Sequence, residues 1–71
     1  MDKAELLGKL GARIRTLRLE KDLTQNDLAN LCSLAKASLS RIESGQSNIT
    51  VITLDRIAEG LEAPIAELFA D

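Results

Sequence analysis

The sequence has no histidine, tryptophan or tyrosine, and only one cysteine, one proline and one phenylalanine in 71 residues. Each absence removes a class of protein. Without histidine, and with Cys32 alone, none of the usual zinc ligand sets can be assembled and no intrachain disulfide can form. No metal or cofactor is therefore expected, and Cys32 reads as a small core hydrophobe. With Phe69 the sole aromatic, the core must be built from Leu, Ile, Val and Ala, which at helical spacing suit an all-α domain better than aromatic-rich strands. Nowhere do about 18 apolar residues follow one another, and MDKAELLGKLGARIR lacks the continuous apolar stretch and cleavage site of a secretion signal. A cytoplasmic protein with no membrane partner is expected.

Chemistry-bearing patterns are equally sparse. Ser33-Leu34-Ala35-Lys36 spells the SxxK of penicillin-binding enzymes, but that chemistry needs a deep cleft with further groups, which so short a helical chain does not offer. Gly8-Lys9-Leu10-Gly11 has the form of a KH-domain GxxG loop, but flanking strands are absent and a helical apolar stripe runs through both glycines. No paired carboxylates or phosphate loop occur. An enzyme is not expected.

What is present is a chain able to collapse, with 45% hydrophobic and 28% charged residues, so it is not a disordered tail. Its length allows one domain, residues 1–71, burying about 60% of the surface its unfolded form exposes. The net charge of −2 argues at first against a polyanion partner. Position matters more than the total. Residues 1–43 hold eight basic against six acidic side chains, whereas residues 44–71 hold one against five. Any nucleic-acid face must lie on the first part, or on uncharged donors.

The periodicity predicts five helices. Leu6, Leu7, Leu10, Ile14 and Leu17 form one apolar stripe on a first helix from Asp2 to Glu20. Thr24 is a good N-cap, with Asp27 three residues on, for a second helix over Gln25–Cys32 with Leu28, Ala29 and Cys32 inward. Ser33-Leu34 makes a turn into a third helix, Ala35–Ser44, with Leu39 and Ile42 inward and Gly45 placed to end it. Thr50 or Thr53 caps a fourth helix that ends near Gly60, with Leu54, Ile57, Ala58 and Leu61 inward. Pro64 suits the first position of a short fifth helix through Ala70.

Two short helices joined by a tight turn are the geometry of the helix-turn-helix, whose second helix can enter the major groove. The outward residues of the third helix, Lys36, Ala37, Ser38, Ser40 and Arg41, are short or basic. Such a surface lets the backbone approach base edges closely.

The residues Leu17-Arg18, Thr24-Gln25, Leu28-Ala29, Leu39-Ser40-Arg41-Ile42-Glu43, Gly45, Asn48, Leu54, Ile57-Ala58 and Leu61 resemble the helix-turn-helix family of Xre and phage lambda-type repressors. Within it, Asn48-Ile49-Thr50-Val51, Thr53-Leu54 and Gly60-Leu61-Glu62 are similar to the controller proteins of restriction–modification systems. The resemblance implies a compact five-helix, lambda-repressor-like domain that binds duplex operator DNA as a homodimer and regulates transcription. It implies base reading by Lys36, Ala37, Ser38 and Arg41, phosphate contacts by Thr24, Gln25, Ser40, Gln46, Ser47 and Asn48, and an ion pair between Arg18 and Glu43. Ile52, Ile65 and Leu68, with Leu31 beside them, are the expected partner surface. No small-molecule ligand is expected, so control by concentration through dimerisation follows. Alternatives are a phage-type repressor, an antitoxin-type regulator, or a helical adaptor that has lost DNA binding. Three residues depart from the pattern: Ser33 where the family turn has Gly, Ala35 where the recognition helix usually has a polar cap, and Ala37, which offers only apolar contact to a thymine methyl. Much of the specificity is therefore expected from DNA shape.

Overall fold

The computed structural model describes residues 1–70, and Asp71 lies outside the described residues. Its elements are α1 (Lys3–Glu20), α2 (Gln25–Cys32), α3 (Lys36–Glu43), α4 (Val51–Gly60) and a 3-10 helix over Ile65–Phe69. The all-helical expectation holds, but with four α-helices rather than five. The last segment is only five residues long and closes with i→i+3 bonds, from the Glu67 amide to the Pro64 carbonyl (2.9 Å) and from Ala70 to Glu67 (3.3 Å). Nucleating an α-helix fixes several residues for one bond, so a segment this short settles into the tighter turn.

Local chemistry sets the helix starts. The Asp2 carboxylate accepts the Glu5 amide at 2.8 Å, and Thr50 rather than Thr53 caps α4, its hydroxyl accepting the Thr53 amide at 3.1 Å. At α2 the cap is reciprocal, with the Asp27 amide donating to Thr24 Oγ1 (3.0 Å) and the Thr24 amide to Asp27 Oδ2 (2.9 Å). The bond from the Thr24 backbone, and secondarily its hydroxyl, holds the Asp27 carboxyl below the usual aspartate value. This cap is accordingly intact above the ordinary carboxylate range and loosens only as pH falls through Asp27's lowered value.

All four α-helices end in the paired 5→2 and 6→1 bonds of a Schellman motif. The amides of Leu23, Leu34, Gln46 and Ala63 reach back to the carbonyls of Arg18, Ala29, Arg41 and Ala58 at 2.9 to 3.1 Å. Each motif needs a left-handed residue, and these are Asp22, Ser33, Gly45 and Glu62, with φ of 57°, 58°, 76° and 54°. Only one is glycine. Ser33 therefore resolves its departure from the family turn by adopting the left-handed conformation.

The core is aliphatic. Leu10, Ile14, Leu17, Leu28, Ala29, Cys32, Leu39, Ile42, Leu54, Ile57, Ala58, Leu61 and Leu68 are buried together, and burial raises the Cys32 thiol above its ordinary pKa. Two expectations need correction. Leu6 at the head of the α1 stripe is 48% exposed, because its side of the helix borders a shallow groove shared with Met1 and Phe69 rather than a packed neighbour. Leu68 is 1% exposed. Folding the last segment back onto α1 and α4 places it in the chain's own core, so it has no surface to offer a second copy.

Two contacts bring α1 unusually close to the end of α3. A Cβ on Gly11 would lie 2.6 Å from the Glu43 carbonyl oxygen, and one on Gly45 would lie 2.9 Å from Gly8 Cα. The glycines of the GKLG run thus let two backbones pack against each other. On the opposite flank, Arg13 donates from Nε and Nη2 to the Glu67 carbonyl and carboxylate, both at 2.9 Å. That pair is partly exposed and is worth less than about 1 kcal/mol.

A left-handed L-residue costs about 1–2 kcal/mol relative to the right-handed region. Ser33→Gly is therefore expected to stabilise the fold by about 1 kcal/mol and to raise the midpoint of thermal unfolding by about 4–8 °C. An unchanged or lower midpoint, measured by circular dichroism, would show that Ser33 carries no strain.

Candidate nucleic-acid interface

Helix α3 is anchored from below by three buried residues, Leu39, Ile42 and Glu43. The first two join the aliphatic core. The third is a carboxylate whose side chain is only 3% exposed, and such a group needs partners of equal quality. Arg18 of α1 supplies them, with Nε 2.7 Å from Glu43 Oε2 and Nη2 3.0 Å from Oε1. This is the two-point geometry in which a guanidinium fits a carboxylate best. Arg18 Nη1 donates in addition to the Leu23 carbonyl at 2.7 Å, and Gln25 Nε2 donates to Glu43 Oε1 at 3.1 Å. The Arg18–Glu43 pair thus joins α1, the α1–α2 turn, α2 and α3, and among the described residues no buried side-chain polar atom is left unpaired.

Above this anchor, Lys36, Ala37, Ser40 and Arg41 are exposed, while Ser38 is half-buried. Among the described residues neither Lys36 nor Arg41 enters an ion pair. Ala35 gives α3 no side-chain cap, and Ser33 does not substitute for it, so the first-turn amides of α3 keep their donors free of a side-chain acceptor. Beyond α3, Gln46 and Asn48 are exposed next to Lys3, Ala4 and Leu7 of α1. Ser47 is half-buried and its hydroxyl donates to the Asn48 carbonyl at 3.1 Å. Thr24 is exposed, but its hydroxyl serves the α2 cap.

Of the residues singled out, Gln25 at the start of α2 and Ser40 on α3 border one cleft above the Arg18–Glu43 pair, whereas Gln46 and Asn48 lie against the first turns of α1. The expected partner-surface residues separate. Ile52 is 71% exposed on α4 beside Val51 at 73%, Leu31 is 59% exposed on α2, Ile65 is half-buried against the core and Leu68 is wholly within it. Sequence reasoning also passed over Arg15, which lies beside Gln25, Ser40 and Ser44 at the edge between α1 and α3. The available signal was its position three residues before Arg18, on the same helix face.

Gln25→Ala removes one donor from a buried carboxylate and is expected to lower stability by about 1–2 kcal/mol. The exposed neighbour change Asn26→Ala should stay within about 0.5 kcal/mol of the parent. Urea midpoints that do not differ between the two variants would show that Gln25 does not support Glu43.

Residues 14–68 match the helix-turn-helix family model HTH_3. The control protein C.MunI of a Mycoplasma species is 36% identical over 64 residues, spanning 89% of this chain and 86% of that one. The phage repressor RstR of Vibrio cholerae is 35% identical over 60 residues, covering 84% of this chain and 54% of its own. Among solved structures, the restriction-modification controller protein C.AhdI of Aeromonas hydrophila superposes with a TM-score of 0.88 at 36% identity, over 89% of this chain and 96% of the other. On its fold, its match over most of its length and the identity to these relatives, the chain belongs to the HTH_3 helix-turn-helix family.

Proposed function

We propose that the protein is a sequence-specific, double-stranded DNA-binding regulator of transcription that acts as a homodimer on an operator, and that it is the controller protein of a restriction–modification system. The observation that carries this reading is the outward face of α3. Two cations unpaired among the described residues, Lys36 and Arg41, flank the short side chains of Ala37 and Ser40 on a helix whose opposite face is fixed by Leu39, Ile42 and Glu43. A helix so presented can sit deep in a major groove. Lys36 and Arg41 then reach guanine acceptors, Ser38 reaches a base edge, and Ala37 meets a thymine methyl. Thr24, Gln25, Ser40, Gln46, Ser47 and Asn48 face the flanking phosphates, where neutral donors supply affinity without net positive charge. The similarity to C.MunI and C.AhdI, both named as control or controller proteins, supports the narrower assignment. Cytoplasmic location follows from that role, and no helix among the described residues is long and apolar enough to cross a membrane.

The dimer reading rests on the apolar surface at the start of α4. Val51 and Ile52 lie side by side and exposed, and Ile65 of the last segment is half-buried against the core. One copy is 30 Å along its longest axis. A symmetric pair of such bodies offers two copies of α3 to successive major grooves about 34 Å apart. Ile52→Glu is expected to convert the dimer to monomer in a sedimentation run at micromolar concentration. A monomeric parent, or a variant that stays dimeric, would remove α4 from the interface.

For DNA binding, the parent should retard a fragment of the promoter upstream of its own gene and lose affinity steeply as salt rises. Each base-reading contact is worth about 1–3 kcal/mol, so Lys36→Ala/Arg41→Ala should bind that fragment no better than unrelated DNA. A double variant that discriminates like the parent would show that α3 does not read bases. Methylase and endonuclease genes adjoining the bound promoter would separate a controller from a phage-type or antitoxin-type regulator.

A further inference from the structure

Helix α1 presents a stripe to α3 in which Ala4, Gly8, Gly11, Arg15 and Arg18 succeed one another at steps of four and three. Three of its members have an identifiable task, and of the two charged ones only Arg15 has none. Gly8 and Gly11 permit the backbone contact with Gly45 and with the last turn of α3. Arg18 is consumed by Glu43 and the Leu23 carbonyl. Arg15, one turn earlier, is exposed and makes neither ion pair nor side-chain hydrogen bond among the described residues.

Arg15 borders a shallow cleft with Gln25, Ser40 and Ser44, floored by Arg18 and Glu43. The only carboxylate there is Glu43, whose two oxygens already accept from Arg18 and Gln25 and whose side chain is 3% exposed. It offers no free negative charge to an incoming anion. What remains at the mouth is the Arg15 guanidinium, the second N–H of the Gln25 amide and the exposed Ser40 hydroxyl, while Ser44 donates to the Arg41 carbonyl at 3.1 Å. A guanidinium with neutral donors beside it matches a singly charged tetrahedral oxyanion.

We propose that this cleft seats one phosphodiester of the DNA backbone, with Arg15 as its charge-bearing ligand, so that α1 grips the duplex alongside α3. The inference rests on the DNA-binding reading above and adds a residue to it. A backbone contact of this kind sets affinity and register but carries no sequence information. Arg15 therefore acts on a different observable from Lys36 and Arg41.

The test is the salt dependence of binding to the upstream promoter fragment and to a scrambled fragment, for the parent, Arg15→Ala, Arg15→Lys and Lys9→Ala. Lys9 is exposed on another face of α1, so its loss changes net charge equally without touching the cleft. Losing one phosphate contact reduces the slope of log K against log salt by about 0.9 per half-site. Arg15→Ala should show that reduction on both fragments, with the ratio of the two affinities unchanged. Arg15→Lys should restore the slope, and Lys9→Ala should leave it at the parental value. All variants should unfold at the parental temperature, since Arg15 makes no ion pair or side-chain hydrogen bond among the described residues. The proposal is overturned if Arg15→Ala keeps the parental slope, if Lys9→Ala lowers it as much, or if Arg15→Ala changes the preference between fragments. A parent that binds neither fragment overturns the DNA-binding reading itself, and this inference with it.

Discussion

The geometry of the candidate interface depends on one buried charge. Glu43 ends α3 with its carboxylate turned inward, and an unpaired carboxylate there would destabilise the fold severely. The compensation comes from Arg18 and Gln25, on two other helices, so the orientation of α3 is set by electrostatics as much as by the Leu39 and Ile42 contacts. Apolar burial alone is non-directional. A two-point guanidinium–carboxylate pair fixes distance and rotation together. Such a pair adds little net stability over a well-packed apolar replacement, so its value here lies in specifying one placement of α3.

The same region explains why a chain of net charge −2 can address a polyanion. The acidic excess lies in the second part of the chain, with Asp55 and Glu59 on α4, Glu62 in the turn after it and Glu67 on the 3-10 helix, while Glu43 within the helix-turn-helix is neutralised internally. The cations of α3 and the exposed Arg15 are left without intramolecular partners among the described residues. A small, locally positive face on an acidic body gives modest electrostatic steering. It places more of the recognition on close fit, which the short side chains of α3 permit.

Much of the fold was legible from sequence because its signals are local. Aliphatic periodicity marked α1 to α4, the cap Thr24 marked the start of α2, and Thr50 and Thr53 stood as equal candidates for α4 until the structure chose Thr50. What was hidden depended on distant partners or subtle thresholds. The contact of Gly11 with the Glu43 carbonyl spans 32 residues of chain, and in sequence the glycines only look like weak points in a helix. Leu6 and Leu68 share the helical pattern of core residues, but whether such a position is covered depends on where the last segment folds, and that segment was too short to declare itself a 3-10 turn. Of the candidate site, the exposure of Lys36, Ala37, Ser40 and Arg41 on α3 was legible from the helical pattern. The partnership of Arg18 with Glu43, 25 residues apart, is not a matter of spacing at all and enters the sequence only through family resemblance. Arg15 escaped notice because a lone exposed arginine looks like any solvated charge until the cleft beside it is seen.

The most direct test of this account is a thermodynamic cycle on the buried pair, using urea unfolding of Arg18→Met, Glu43→Leu and the double variant. If the pair is the constraint that fixes α3, each single change strands a buried charge and costs about 3–5 kcal/mol, while the double variant is more stable than either single one. Losses that instead add to within about 0.5 kcal/mol would mean that the two residues act independently, and the placement of α3 would need another cause.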